Sequence, residues 1–249
     1  MEKLTLEEKH GIILEIMSDI DKFCRDNNIR YTISAGTLLG AVRHGGFIPW
    51  DDDADLFMLR EDFDRFVKIY KSDKYHLLFN TCSKEEFLCT GFAKVIDPNT
   101  YVVGSATQAK YGVYVDIFPL DSVPEEPKAR HKYMHKVMRL HNRLYHRQQN
   151  DLLSFIKSYY HSLDWWRRKC EEIVHSGLYD NSGLVAQMIG TNNYRTVVPK
   201  NWFDNLEEFE FEGRRFFGFK DTHAYLSMLY GADYMTPKKW NHDEAIYRR

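Results

Sequence analysis

No run of apolar residues in this chain approaches the roughly 20 that a bilayer crossing needs, so no transmembrane segment is expected. The start, MEKLTLEEKHG, is charged and has no apolar stretch of the secretory-leader kind. Cysteine is scarce. Cys24, Cys82, Cys89 and Cys170 form no CxxC pair and no spaced framework, which excludes a disulfide scaffold and fits reduced thiols in a cytoplasmic protein. Neither charge is in strong excess; the net of −2 argues against a nucleic-acid partner, which usually calls for a large basic surplus. Internal repeats and low-complexity tracts are missing too. What is present is a chain of 249 residues, 43% hydrophobic: enough for a real core in one large domain or two small ones, and too apolar to stay disordered.

Thr5-Leu-Glu-Glu8 has the form of a capping box. Ile12, Ile13, Ile16, Met17, Ile20 and Phe23 then recur at helical spacing, predicting an amphipathic helix from about Thr5 to Asn27. IRYTIS reads as a short strand, and a second helix runs through LLGAVRH, capped by Ser34 or Thr37 and ended by Gly45-Gly46. Ala54 to Leu59 is apolar enough for a buried strand. A third helix, EDFDRFVKIYK, follows, then the strand candidates YHLLFN, TGFAKVID and GVYVDIF. Pro119, Pro124 and Pro127 mark a change of composition. KARHKYMHKVMRLHNRLYHRQQNDLLSFIKSYY has no Gly or Pro and reads as helix, as does SLDWWRRKCEEIVH. EEFEFEG and RRFFGF alternate as two strands, and DTHAYLSMLYG closes with a helix. The expected division is a core over 1–124, a helical module over 125–190 and a closing segment over 191–249.

The unusual stretch is PWDDDADL, where Asp51, Asp52, Asp53 and Asp55 run straight into an apolar segment. Neighbouring carboxylates repel, and one entering a strand is costly to bury unless a cation compensates. A solvated acidic loop is the plain reading. Against it, Asp53 and Asp55 are two apart, so on a strand both point to one face. Such a pair suits a divalent cation, since Mg²⁺ takes one or two carboxylates along with substrate phosphates. Upstream, Ser34-Ala35-Gly36-Thr37 places a glycine and a hydroxyl where a strand turns into a helix. That is the setting of a phosphate seat, with close backbone approach at Gly36. Downstream, Asp116 stands alone in the apolar run VYVDIFPL.

A Gly-Thr, an Asp-x-Asp on the next strand and one Asp on a later strand resemble the nucleotidyltransferase superfamily, with its polymerase β-like fold. SAGTLLGAVRHGGFIPWDDDADL, then YVDIFPLD and the terminal LYGADYMTP, resemble more closely the LicD family of phosphotransferases, related to fukutin and fukutin-related protein, over about residues 25–242. The resemblance implies an α+β fold: a mixed nucleotidyltransferase sheet flanked by helices, with an added helical module. It also implies transfer of a substituted phosphate, phosphocholine above all, from CDP-choline or another CDP-alcohol. The acceptor would be a hydroxyl of a cell-surface glycan or a lipid-linked precursor, and CMP would leave. Asp53 and Asp55 match the family's metal-binding pair, with Mg²⁺ or Mn²⁺ the expected ion, and Asp116 matches the third carboxylate. Gly36 and Thr37 match the phosphate-binding turn. Asp51 and Asp52 fall inside the acidic run as supports more than ligands, and Asp121 closes the YVDIFPLD motif. Ala232 stands where the family commonly reads Gly-Asp directly, which sets Asp233 apart from the pattern. The implied place is the cytoplasm or the inner face of the membrane, with peripheral association coming through the acceptor.

Phosphoryl-type transfer needs charge neutralisation, aligned oxygens and a base for the incoming hydroxyl. Asp116 fits either a base for that hydroxyl or a group that helps bind a second metal. Arg43, one turn past the seat, and Lys94, a lone lysine in FAKVID, are candidates to hold phosphate oxygens. Their plain readings are a basic helix end and a snorkelling side chain. The basic run from Lys128 to Arg147 is by default a solvated helix face, and His131 and His135 lack the following Glu of a zincin. A choline headgroup would want ring faces. Tyr111, Tyr114, Trp165, Trp166, Trp202 and Trp240 are available, most of them needed in the core. Tyr230, Asp233, Tyr234 and His242 belong to a terminal segment able to close over the site. Two rivals stand beside the phosphotransferase: a nucleotidylyltransferase moving NMP from NTP onto a small molecule, and a glycan- or nucleotide-binding protein with a decayed site. The presence of Asp53, Asp55 and Asp116 together counts against decay.

Overall fold

The computed structural model describes residues 2–79, 91–102, 111–148, 161–189, 195–239 and 246–248. The first helix, α1 (Leu6–Asp26), is held at its start by a reciprocal cap. The Thr5 hydroxyl accepts from the Glu8 N–H, and the Glu8 carboxylate accepts from the Thr5 N–H at 2.8 Å. There follow β1 (Thr32–Ile33), α2 (Ala35–His44), β2 (Asp55–Leu59), α3 (Arg60–Ile69), β3 (His76–Leu78), β4 (Ala93–Ile96), β5 (Thr100–Val102) and β6 (Tyr114–Ser122). Beyond these lie α4 (Pro127–Gln148), α5 (Leu163–Val174), β7 (Leu184–Gln187), β8 (Val197–Pro199), a 3₁₀ turn over Lys200–Asp204, the strands β9 (Leu206–Phe211) and β10 (Arg214–Phe219), α6 (Thr222–Tyr230) and β11 (Ile246–Arg248). This is the expected α+β arrangement, a mixed sheet flanked by helices.

The main sheet has seven strands in the order β1-β2-β6-β4-β3, with β7 and β8 added beside β6. Its centre is β6, parallel to β2 and antiparallel to β4 and β7. Both β2 and β6 are buried on both faces, which is why their sequences read as almost unbroken apolar runs. Pro119 would be out of place in most central strands. The Asp116 N–H bonds to the Ala54 carbonyl beside β2, so the missing N–H of Pro119, three residues on, points to the opposite edge. There, β4 pairing stops at Ile117 and β7 pairing starts at Leu120. Pro119 sits at the changeover, where a donor is dispensable.

One apolar cluster joins α1 (Ile13, Ile16, Met17, Ile20) to the sheet, the β9–β10 hairpin and α6. A smaller one, with Val123, Met134, Val137, Ala186 and Met188, seats α4 against β7. The strands β7 and β8 were not expected. They carry four and three residues, too short for a period to show. Since β7 lies within 125–190 and β8 within 191–249, the seven-stranded sheet draws on all three expected segments.

At the head of α3, Arg60 reaches across to β6 and grips Asp121 with a two-pronged contact, Nε to Oδ1 at 2.6 Å and Nη2 to Oδ2 at 3.0 Å. Asp121 is 3% exposed. Breaking a buried pair strands a charge, at a cost of about 3 kcal/mol or more. Arg60→Met is therefore expected to lower the melting temperature by roughly 6 °C or more in a scanning calorimeter, taking about 2 °C per kcal/mol for a chain of this size.

Candidate active site

The turn from β1 into α2 is stitched to the start of β2. The Ser34 N–H donates to the Asp55 carbonyl at 2.9 Å, and the Asp55 N–H donates to the Thr37 hydroxyl at 2.9 Å. Ser34 takes the N-cap position in extended geometry, yet its hydroxyl makes no capping bond. Ala35 has φ +45°, a conformation that costs an alanine strain. It is held there by Tyr225 of α6, whose buried hydroxyl accepts the Ala35 N–H at 3.1 Å. Asp55 and the N-terminal turn of α2, the anion-favouring end of that helix, are thus fixed as one unit. Gly45, with φ +71°, ends α2 as expected of a left-handed cap.

Gly36 leaves room for a neighbouring side chain. A Cβ on Gly36 would come within 2.5 Å of Asp51 Oδ2. The space that glycine leaves is taken by the Asp51 carboxylate, which lies at the seat expected for a phosphate.

Asp55 on β2 and Asp116 on β6 are direct register partners across adjacent parallel strands, so their side chains emerge side by side. Asp53 lies two residues before Asp55. Burial, then the carboxylates of Asp53, Asp116 and Asp51, hold the Asp55 carboxyl well above the usual range, with Lys94 pulling the other way. Burial likewise raises Asp116, opposed by Lys94, whose ammonium lies 2.6 Å from Asp116 Oδ1. Lys94, expected to face phosphate oxygens, is committed to that carboxylate.

The acidic loop is clamped from α1. Lys9, 1% exposed, pairs with Asp52 at 3.3 Å, and His10 Nε2 lies 2.6 Å from the Asp51 carbonyl oxygen while its ring stacks on Phe47. Asp52 therefore supports the loop. On the other side, Arg43 Nη1 donates to the Tyr234 carbonyl at 2.8 Å, while its buried Nη2 has no partner among the described residues. Burial lowers the pKa of Arg43. Burial, and then the charges of Asp55, Asp51 and Asp53, hold Tyr230 protonated.

Other candidates fall elsewhere. Asp121 is an odd number of residues from Asp116 on the same strand, so it faces away from the site, into the Arg60 contact. Asp233 is exposed and pairs with Lys238 at 2.8 Å. His242, Trp240 and the Trp166 side chain lie outside the described residues. Trp202 packs edge-on against Phe219 in the core, and Trp165 stacks on His161. Tyr111 and Tyr114 do stand at the site, around Lys94. His131 and His135 stack on one another on an exposed face of α4.

Among the described residues, no group of three or more His, Cys, Asp and Glu side chains is already gathered as a metal cage. The donor set nevertheless suits one. Asp53, Asp55 and Asp116 offer only oxygen, the ligand that Mg²⁺ and Mn²⁺ prefer. Burial first, and then repulsion from Asp53, Asp116 and Asp51, raises the Asp55 carboxyl, and a divalent cation would relieve that repulsion.

A family profile described as "LicD/FKTN/FKRP, nucleotidyltransferase domain" matches residues 28–166. The lipopolysaccharide cholinephosphotransferase LicD of Haemophilus influenzae is 31% identical over 265 aligned positions, covering 94% of this chain and 93% of that protein. The human ribitol 5-phosphate transferase FKRP is 56% identical over a stretch of 34 residues, 14% of this chain and 7% of that protein. The mouse protein of the same name matches equally. No helix among the described residues is long and apolar enough to cross a membrane.

Proposed function

We propose, on the premise that this chain belongs to the LicD/FKTN/FKRP nucleotidyltransferase family, that it moves a substituted phosphate from a CDP-activated alcohol to a hydroxyl of a cell-surface glycan or its precursor. Phosphocholine is the favoured group, because the relative that aligns along nearly the whole chain is a cholinephosphotransferase acting on lipopolysaccharide. The observation that carries the chemistry is the register pairing of Asp55 with Asp116 at the head of α2.

The residues divide the work. The N-terminal turn of α2 receives the donor phosphates, with Asp51 giving way from Gly36. Arg43 turns its spare Nη2 donor toward a phosphate oxygen, a charge-assisted contact that would complete the guanidinium. Asp53, Asp55 and Asp116 would hold Mg²⁺ or Mn²⁺, which when bound neutralises the pyrophosphate and the charge that builds on it. The acceptor oxygen forms the new bond to phosphorus, the bond to the CMP oxygen breaks, and the hydroxyl proton passes to a carboxylate of the row. Asp55 and Asp116, fixed on their strands, and the helix end tied to β2 through Thr37 and Asp55 hold these groups in place before substrate arrives.

A panel of CDP-choline, CDP-ethanolamine, CDP-glycerol and CDP-ribitol, with Mg²⁺ and candidate glycans, tests this by the release of CMP. Acceptor-dependent CMP from CDP-choline is expected. Pyrophosphate released from an NTP would instead identify a nucleotidylyltransferase. Gly36→Val pushes into the space of the Asp51 carboxylate and crowds the seat. The expected result is donor affinity about tenfold weaker or more by isothermal titration, a loss of ~1.4 kcal/mol or greater. Unchanged affinity in a folded variant would put the donor phosphates elsewhere.

A further inference from the structure

A fixed positive charge stands at the end of the row of carboxylates. Asp55, Asp116 and Lys94 are successive register partners on β2, β6 and β4, so their side chains share one face at strand spacings of about 4.8 Å. The Lys94 ammonium lies 2.6 Å from Asp116 Oδ1. Rings close around it: the centroid of Tyr114 is 3.3 Å from Nζ, Tyr111 is at 5.4 Å and Phe92 at 5.5 Å. Tyr114 is two residues from Asp116 on β6, hence on the face of the row, and Phe92, just before β4, stacks on Phe118 of β6. Lys94 is 8% exposed and Asp116 9%. The ring faces attract the cation, the carboxylate sets its direction, and the walls deny it another resting place.

This arrangement bears on the metal-assisted transfer proposed above and rests on that reading. We infer that the Lys94 ammonium is the second cation of the site. Asp53, Asp55 and the remaining oxygen of Asp116 then serve one divalent ion, and Lys94 stands where a two-metal enzyme would bring another. A two-metal clamp needs a carboxylate free to serve both ions at close range. Here one oxygen of the shared carboxylate is already engaged by an ammonium, and a further divalent charge beside it would be repelled. Lys94 is a positioning residue on this account: it holds Asp116 in line and contributes a constant positive charge without being exchanged with solvent.

The test is the number of Mn²⁺ ions held per chain, read from the EPR signal of free and bound ion while the whole protein is titrated with Mn²⁺. The titration is run with and without CDP, and blanks lacking protein are subtracted. One ion per chain with an isolated six-line spectrum is expected. Lys94→Met should admit a second ion and lower turnover about 10²-fold, the size of one lost electrostatic contact. Two coupled ions in the wild-type protein would overturn the inference while leaving the metal site standing. No bound ion in either titration would overturn the metal site and this inference together. Lys94→Met with one ion and unchanged turnover would also overturn it. If that variant does not fold, the wild-type count decides alone.

Discussion

Asp55→Asn is expected to abolish transfer and, in the absence of metal, to make the protein more stable at pH 7–8 than the wild type. Both effects have one cause. Asp55 is buried, and then crowded by Asp53, Asp116 and Asp51, so its carboxyl binds a proton more tightly in the folded chain than the ordinary value of 3.8 allows in the unfolded one. Below the unfolded value both states are protonated and the crowding costs nothing. As pH rises from there through the folded value, the unfolded chain releases its proton first, so stability falls. Asparagine keeps the shape and removes the charge. Its melting temperature should exceed the wild type's at pH 7–8, by about 2–4 °C for each kcal/mol relieved, and show no such gain near pH 4. Mg²⁺ should stabilise the wild type and not the variant, because an ion that binds only the folded state shifts the equilibrium toward it. Asp53→Ala should lose activity in the same way. Full activity in either variant, measured with Mg²⁺ present, would remove the pair from the chemistry.

Asp116→Asn should lower turnover by at least about 10²-fold, the usual size of one lost preorganised electrostatic contact. It should also weaken metal-dependent donor binding. Burial raises the Asp116 carboxyl and Lys94 opposes that shift, but the ammonium seated on one of its oxygens gives Asp116 a charge-holding role. A general base would behave differently. Its loss would cost about 10²–10⁴-fold in turnover while sparing donor affinity. Measuring turnover and donor affinity on the one variant separates the two roles, and normal turnover would leave Asp116 a structural carboxylate.

An isolated Asp in an apolar strand singled out Asp116 in the sequence, and the acidic run singled out Asp55 at the start of β2. Their pairing was not legible. It depends on the register of β2 against β6, and those strands are joined through an excursion in which two further strands of the same sheet are formed. Lys9 left a signal that could have been used, since it occupies a position in line with Ile13, Ile16 and Ile20 on the buried face of α1. A lysine on an apolar stripe asks for a carboxylate, and Asp52 supplies it. Nothing in an alanine announces the positive φ of Ala35, whose support comes from Tyr225, far along the chain. At Gly36 the sequence pointed to phosphate approach, and the group that lies there is the Asp51 carboxylate. Tyr114 shares the row's face by strand periodicity, while Phe92 and Tyr111 precede β4 and β6 and could be placed only by the fold.

The most direct measurement is the mass of a choline-acceptor glycan after incubation with the protein, CDP-choline and Mg²⁺, with Asp55→Asn run alongside. The account predicts one phosphocholine added per acceptor, CMP in equal amount, and neither product with the variant. A nucleotidyl group on the acceptor, or transfer undiminished in Asp55→Asn, would contradict it.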